Sequence, residues 1–296
     1  EFGGNGELIH EFFAPIQSQL NSEALKLYEK NTNKKIAQIF FSKGCVARCT
    51  FCQRARKGYS AYLPNDLENH VIELKEKYNV GAFSVTDENF GSNKKQSYEL
   101  ARIMKKHDFL WIGGGARCTS VTYEDLKFYK EHNMISINFG IESGSERVRK
   151  EIIHKGNFTN KRIKEVFSLC RKHEIKIVCY FMIGHPTETK EEIELTKKMI
   201  LKSGLDLLGL SIPTPFPGSP LYNIAENEGV ISKDIIDQFA EKKLGEGYKG
   251  VYPIYIPEGV SKEYLLSMMK TINRSFYISF RMLFRRIKRN IFSFKA

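Results

Sequence analysis

Six short apolar runs, each followed by a stretch with helical spacing, constrain this chain more than any other feature. The runs cover 36–41, 82–85, 110–112, 135–141, 175–183 and 205–212. They are continuous rather than alternating, which is what strands covered on both faces require. After the first run Leu67, Val71, Leu74 and Tyr78 recur at steps of three and four, and after the fourth Ile163, Val166, Phe167 and Cys170 do the same. Six strand and helix units in series predict an α/β chain built on a parallel sheet. Right-handed crossovers place the helices on one side if the sheet curls into a barrel and on two sides if it stays open; the pattern fits both. In either case the loops leaving the C-terminal strand ends converge on one edge, where such folds put their chemistry.

Those loops carry polar groups. Asp87, Glu88 and Asn89 follow the second strand, Arg117 and Cys118 the third, Glu142 and Ser143 the fourth, and Gly184 and His185 the fifth. The loop after the first strand, "FFSKGCVARCTFCQRARKG", holds Cys45, Cys49 and Cys52 in a CxxxCxxC run. A structural zinc site takes four ligands, and the nearest histidine, His70, falls on the predicted first helix. An electron-carrying iron-sulfur cluster also takes four thiolates. Three thiolates on one short loop suit a 4Fe-4S cube with one iron left open.

The 296 residues are 42% hydrophobic and 27% charged, enough for a sizeable globular core in one large domain or two small ones. Six cysteines with only three clustered do not form a disulfide framework, and no secretory leader pattern opens the sequence. A reducing, cytoplasmic compartment is expected. No apolar run is long enough to span a bilayer. The net charge of +12 is uneven. After Glu263 no acidic residue occurs, while Lys270, Arg274, Arg281, Arg285, Arg286, Lys288, Arg289 and Lys295 follow. Such an end suits an anionic lipid surface, a nucleic acid or another acidic partner, or else a helix whose apolar face docks on the body.

"CVARCTFC", with Phe51 before the last cysteine, resembles the signature of the radical S-adenosylmethionine enzymes. "VTDENFGSN" is similar to the family segment that meets the cofactor's amino group, implying that role for Asp87, Glu88 and Asn89. "FGIESGSERVRKEIIHKG" resembles the fourth-strand motif whose glutamate, here Glu142 beside Ser143, meets the ribose or methionine part. "FMIGHPTETKEEI" resembles the fifth-strand motif lying against adenine, implying Met182, Ile183 and Gly184 there. "TPFPGSPLY" matches a proline-rich loop after the sixth strand. The likeness covers roughly 36–222. It implies a partial (β/α)6 TIM-type barrel with a C-terminal helical extension. It also implies a 4Fe-4S cluster held by Cys45, Cys49 and Cys52, with S-adenosylmethionine on the open iron. One electron then cleaves its carbon-sulfur bond and yields a radical that abstracts hydrogen from a substrate. An oxygen-sensitive enzyme served by a flavodoxin or ferredoxin is expected.

Motif order, with "YIPEGVSKEYLLSMMK" and "RSFYISFRMLFRRI", looks most like the branch carrying an N-terminal cobalamin-binding domain, many of whose members are methyltransferases. The sequence holds no DxHxxG segment, so cobalamin is expected only through a domain outside these residues. The expected organisation is a linker over 1–35, the catalytic core over 36–230 and an extension with a basic amphipathic helix over 231–296. The substrate is expected to be a small or lipid-linked molecule. The basic end, with Phe276, Tyr277, Leu283, Phe284, Ile287, Ile291 and Phe292 interleaved, implies peripheral membrane contact, and nucleic acid is the less favoured partner. A transfer-RNA methylthiotransferase-like enzyme and a non-catalytic iron-sulfur module are the competing readings.

Several residues keep two readings. Glu142 either meets the cofactor, caps a helix or pairs with Arg117. Arg117 either forks onto the methionine carboxylate or neutralises an acidic cluster. Lys155 reaches the cofactor or sits on the surface. Gly113, Gly114 and Gly115 imply close backbone approach rather than phosphate binding. Cys170 and Cys179 read as core residues, and Cys118 as core or as a thiol facing substrate. His185 is an acid or base beside the adenine segment, or a polar residue satisfied by backbone.

Overall fold

The computed structural model describes residues 28–53, 58–231 and 253–279. Eight strands occur among them: β1 (Lys35–Ile39), β2 (Ser42–Lys43), β3 (Ser60–Ala61), β4 (Val80–Val85), β5 (Leu110–Ala116), β6 (Met134–Glu142), β7 (Lys176–Met182) and β8 (Leu207–Ser211). The helices are α1 (Pro64–Tyr78), α2 (Lys94–Lys106), α3 (Tyr123–Glu131), α4 (Asn160–Lys172), α5 (Lys190–Lys202), α6 (Pro220–Asn227) and α7 (Lys262–Tyr277), with a π-helical turn at Val148–Ile152. Six strands form one parallel sheet in the order β1-β4-β5-β6-β7-β8. The sheet is the curled half-barrel of a partial TIM fold, open between its outer strands. Each of the six runs read from the sequence is one of these strands, and each is followed by a helix.

Local chemistry explains where the helices begin. Thr122 and Asp125 at α3, and Thr189 and Glu192 at α5, form reciprocal capping boxes. Asn93, Thr159, Ser219 and Ser261 each accept a backbone N–H at the start of α2, α4, α6 and α7. One continuous core lies between the sheet and its helices. Phe90, Trp111 and Tyr129 meet ring to ring within it, and the indole N–H of Trp111 donates to the His132 carbonyl at 2.6 Å. Leu265, Met268, Met269, Ile272 and Phe276 of α7 are buried in the same core, and α7 packs on α5 and β8. The docked-helix reading of the basic segment therefore holds over Lys262–Tyr277. Phe276 is buried and the Tyr277 hydroxyl donates to the Leu208 carbonyl at 3.0 Å, so these two aromatics serve the fold rather than a lipid surface. The remaining apolar residues of that segment, Leu283, Phe284, Ile287, Ile291 and Phe292, and the proposed linker up to residue 27 lie outside the described residues. No helix among the described residues is long and apolar enough to cross a membrane.

The glycine run, Gly113 to Gly115, lies in the C-terminal half of β5. A Cβ on Gly114 would run into the Val85 carbonyl, and one on Gly115, whose φ is 73°, into the Asp87 carbonyl. Backbone approach is what these glycines allow. Gly115→Ala is expected to cost on the order of 1–3 kcal/mol, read as a lower melting temperature in thermal unfolding.

Candidate active site

The cysteine loop is fastened before, within and after the motif. At its base β2 and β3 form an antiparallel ribbon, with Gly44 and Gly58 just inside it at φ 87° and 91°. Asp87, beyond the end of β4, accepts from Phe41 N at 2.8 Å, Ser42 N at 3.0 Å and Ser42 Oγ at 2.6 Å. Burial raises its carboxyl above the usual range, and those hydrogen bonds pull it back. In mid-motif, Thr50 donates through N to the Ile153 carbonyl at 2.9 Å and through Oγ1 to that of Ile152 at 2.9 Å. Its own carbonyl accepts from Leu221 N at 2.8 Å. After the motif, the Gln53 amide donates to the Pro217 carbonyl at 2.9 Å. The loop thus leans on β4, on the π-helical turn and on the proline-rich loop at once.

All three thiols are partly exposed, in contrast with buried Cys118, Cys170 and Cys179. Burial pushes the Cys49 thiol up, while Lys155 and Arg117 draw it down and Glu142 and Cys45 raise it. Burial also raises Cys52, followed by the charges of Cys49, Cys45 and Glu88. The thiols therefore sense one another as like charges, a condition that bound iron relieves. No three His, Cys, Asp or Glu side chains stand in a metal-holding arrangement among the described residues. What fits a cluster is the donor set: three accessible thiols on one loop, anchored around them, with cations behind.

Behind the loop lies a buried ion pair. Lys155 Nζ meets Glu142 Oε1 at 2.6 Å, with only 11% and 8% of the two side chains exposed. Glu142 ends β6 at φ 70°, after a register shift between Gly140 and Glu142. Gly140 makes the room, since a Cβ there would stand 2.5 Å from Glu142 Oε1 and 2.7 Å from Lys155 Nζ. Two of the alternatives read from the sequence were that Glu142 pairs with Arg117 and that Lys155 lies on the surface. The structure corrects both, because the π-helical turn folds 155 back over the sheet. Arg117 instead donates through Nη2 to the Lys155 carbonyl, and its buried Nε has no partner among the described residues.

The fifth-strand side is organised by Glu188. Its Oε2 accepts from Gly184 N at 2.6 Å and His185 N at 3.0 Å, and its Oε1 accepts from Ser143 Oγ at 3.4 Å. Burial pushes its carboxyl up to about 7, with Glu192 adding to the rise. Met182 and Ile183 are buried, and Gly184 takes φ 95°. His185 is fully buried; burial, and then Lys155, hold it down at about 3. Neither ring nitrogen has a partner among the described residues, so the backbone does not satisfy it. Its ring stands 6.2 Å from that of Phe51.

The expected residues thus divide. Cys49 and Cys52 share an electrostatic neighbourhood with Glu88, Arg117, Glu142 and Lys155, and Phe51 adjoins His185. Asn89 is buried beside Glu88, and its Oδ1 has no partner among the described residues. Asp87 and Ser143 are turned elsewhere, Asp87 to the loop base and Ser143 into a fully buried network with Thr196 and Glu188. Cys118 belongs to the core, its thiol pushed up to about 12 by burial. Sequence reading missed Glu188 and Arg149. Arg149 is fully buried and donates to the carbonyls of Ser143 at 2.5 Å and Phe158 at 3.2 Å, and to Asn160 Oδ1 at 2.7 Å. The one signal for Glu188 was its place four residues after Gly184, where a carboxylate can fold back on a strand-end glycine.

Two outcomes follow from these contacts. Glu142→Gln leaves Lys155 buried without a counter-charge and should cost about 3 kcal/mol or more in urea unfolding; adding Lys155→Met should recover most of that loss. Glu188 is raised in the fold, so its contribution is complete below its unfolded value and lost as pH rises through about 7. Glu188→Gln should therefore gain melting temperature relative to the unsubstituted protein between about pH 5 and pH 8. His185 has the opposite slope but is common to both proteins and cancels in the difference.

A comparison with protein-family profiles matches residues 39–200, more than half of the chain, to the Radical SAM superfamily. The chain is 26% identical over 286 residues to an uncharacterised methyltransferase of Pyrococcus horikoshii, covering 93% of this chain and 60% of that protein. It is 27% identical over 251 residues to the anaerobic magnesium-protoporphyrin IX monomethyl ester cyclase of Cereibacter sphaeroides, covering 82% and 39%. It therefore spans between about two fifths and three fifths of the length of these relatives. Among solved structures, the radical S-adenosylmethionine methyltransferase TsrM of Kitasatospora setae, solved with cobalamin and a [4Fe-4S] cluster, matches with a TM-score of 0.60 and 16% identity. That match covers 69% of this chain and 39% of TsrM, and it shows the shared fold. By its family match, its curled parallel sheet and the cysteine loop at the sheet's C-terminal edge, this chain belongs to the radical S-adenosylmethionine superfamily.

Proposed function

We propose that this chain is the catalytic core of a radical S-adenosylmethionine enzyme of the cobalamin-dependent methyltransferase type. The observation that carries the reading is the anchored loop of three accessible thiols set over the Glu142–Lys155 pair. When bound, a 4Fe-4S cluster with one open iron supplies the electron that cleaves the carbon-sulfur bond of S-adenosylmethionine.

The chain's own part is to hold and to shield. Cys45, Cys49 and Cys52 would ligate the cluster, and the clamp of Asp87 and the contacts of Thr50 fix the loop that would carry it. Asn89 Oδ1 and Arg117 Nε, without a partner among the described residues, offer a buried acceptor and a buried donor for the amino-acid end of the cofactor. Glu142 and Lys155 set a paired negative and positive group where its ribose and carboxylate would approach. Met182, Ile183 and Gly184 give an apolar edge for adenine, and Glu188 holds that edge in place. The helix-side core seals the back of the sheet, so that water would reach the reacting carbon only from the concave side. Methyl transfer is supported by the relative named a methyltransferase and by the fold shared with TsrM. No DxHxxG segment occurs in these residues, so cobalt would be ligated outside them. A flavodoxin or ferredoxin would deliver the electron at the exposed side of the cysteine loop.

Cys45→Ala, Cys49→Ala and Cys52→Ala should each abolish release of 5′-deoxyadenosine from S-adenosylmethionine under dithionite, measured by chromatography. Cys170→Ala, on the far side of the core, should retain it. Release at the unsubstituted rate by any of the three cluster variants contradicts the reading.

A further inference from the structure

Successive side chains of a strand point to opposite faces. Ile137, Phe139 and Ile141 of β6, and Ile177, Cys179 and Phe181 of β7, lie in the helix-side core. Asn138, Gly140, Val178 and Tyr180 therefore face the concave side, where a substrate must stand if the cofactors occupy the mouth as proposed above. Tyr180 is 46% exposed on this wall, although it belongs to a central strand. Its two neighbours in register are Gly140 on β6 and Gly209 on β8. Its ring crosses Gly209 so closely that a Cβ there would lie 2.9 Å from Cε1. With glycine on both sides the ring lies down on the sheet and keeps its outer face free.

One strand over, Asn138 is 8% exposed, and its buried Oδ1 accepts from no protein group among the described residues. Two hydroxyls of this wall are committed, Ser136 to the Lys176 carbonyl at 3.1 Å and Thr86 to the Ile39 carbonyl at 3.3 Å. Of the wall's charged groups among the described residues, Glu142 is ion-paired, and exposed Lys176 stands at the far end of β7 from Tyr180. Beside Tyr180 a charged substrate group would lose its hydration and, among the described residues, meet no free counter-charge.

We propose that Tyr180, Gly209 and Asn138 form a substrate platform for an uncharged planar ring system, which stacks on Tyr180 and donates an N–H or O–H to Asn138 Oδ1. The inference names a substrate class and rests on the proposed radical chemistry only for where the substrate stands. Offset stacking gives the ring its orientation, and the amide selects a ring with a donor.

The test uses anaerobically reconstituted protein and three probes: indole, 1-methylindole and indole-3-acetate, titrated by saturation-transfer difference NMR. Indole is expected to bind saturably, and 1-methylindole, which lacks the donor, about fivefold more weakly. Indole-3-acetate should bind more weakly than indole. Tyr180→Ala should weaken indole roughly fivefold and Tyr180→Phe should not. Asn138→Ala should erase the difference between indole and its N-methyl form. Gly209→Val, which lifts the ring, should act like Tyr180→Ala. Trp111, the one tryptophan and fully buried on the helix side, reports through its emission that each variant is folded. Equal indole affinity in folded Tyr180→Ala, preference for the acetate, or no saturable binding overturns the platform. If indole binds as expected but S-adenosylmethionine is not cleaved, the radical reading fails and the platform stands; the converse result overturns the platform alone.

Discussion

The buried pair of Lys155 and Glu142 is the contact on which the rest of the site depends. Two opposite charges held out of water are stable only while both remain, so the segments that carry them are bound to each other. Glu142 ends β6 in a left-handed conformation, and Lys155 returns from the π-helical turn that follows. Because that turn also supplies the carbonyls that hold Thr50, the cysteine loop rests on the same fixed point. The field of Lys155 reaches Cys49, Cys52, Cys118 and His185, so one ammonium biases the ionisation of the whole mouth.

Around this point the fold separates two tasks. One set of groups positions backbone: Asp87 at the loop base, Glu188 under Gly184 and His185, and Arg149 on the carbonyls of Ser143 and Phe158. They are buried and their polar atoms are largely used. Another set is buried or half-buried with capacity left over: Asn89, Arg117 and His185 at the strand ends, and Asn138 on the concave wall. Groups of the first kind give shape, and groups of the second kind can answer a ligand.

Sequence made the scaffold legible because the strands carry apolar residues on both faces, β4 being buried throughout, and so read as unbroken apolar runs. The helices were legible through Leu67, Val71 and Leu74 in α1 and through Ile163, Val166, Phe167 and Cys170 in α4, all of them buried. The cysteine loop and the close backbone approach at Gly114 and Gly115 were also readable, because spacing and residue type determine them locally. Pairings across the sheet were not. Whether Lys155 or Arg117 meets Glu142 depends on a π-helical turn and on the missing Cβ of Gly140, and neither leaves a periodic trace. The burial of Phe276 and the commitment of Ser143 failed to show for the same reason: each depends on elements far away in the chain.

The central claim is that the three cysteines hold a cluster with one iron open to S-adenosylmethionine. Electron paramagnetic resonance of the anaerobically reconstituted, reduced protein, recorded with and without S-adenosylmethionine, tests it most directly. A 4Fe-4S signal that changes shape when the cofactor is added is the predicted result. A cluster signal indifferent to the cofactor, or no cluster at all, would contradict it.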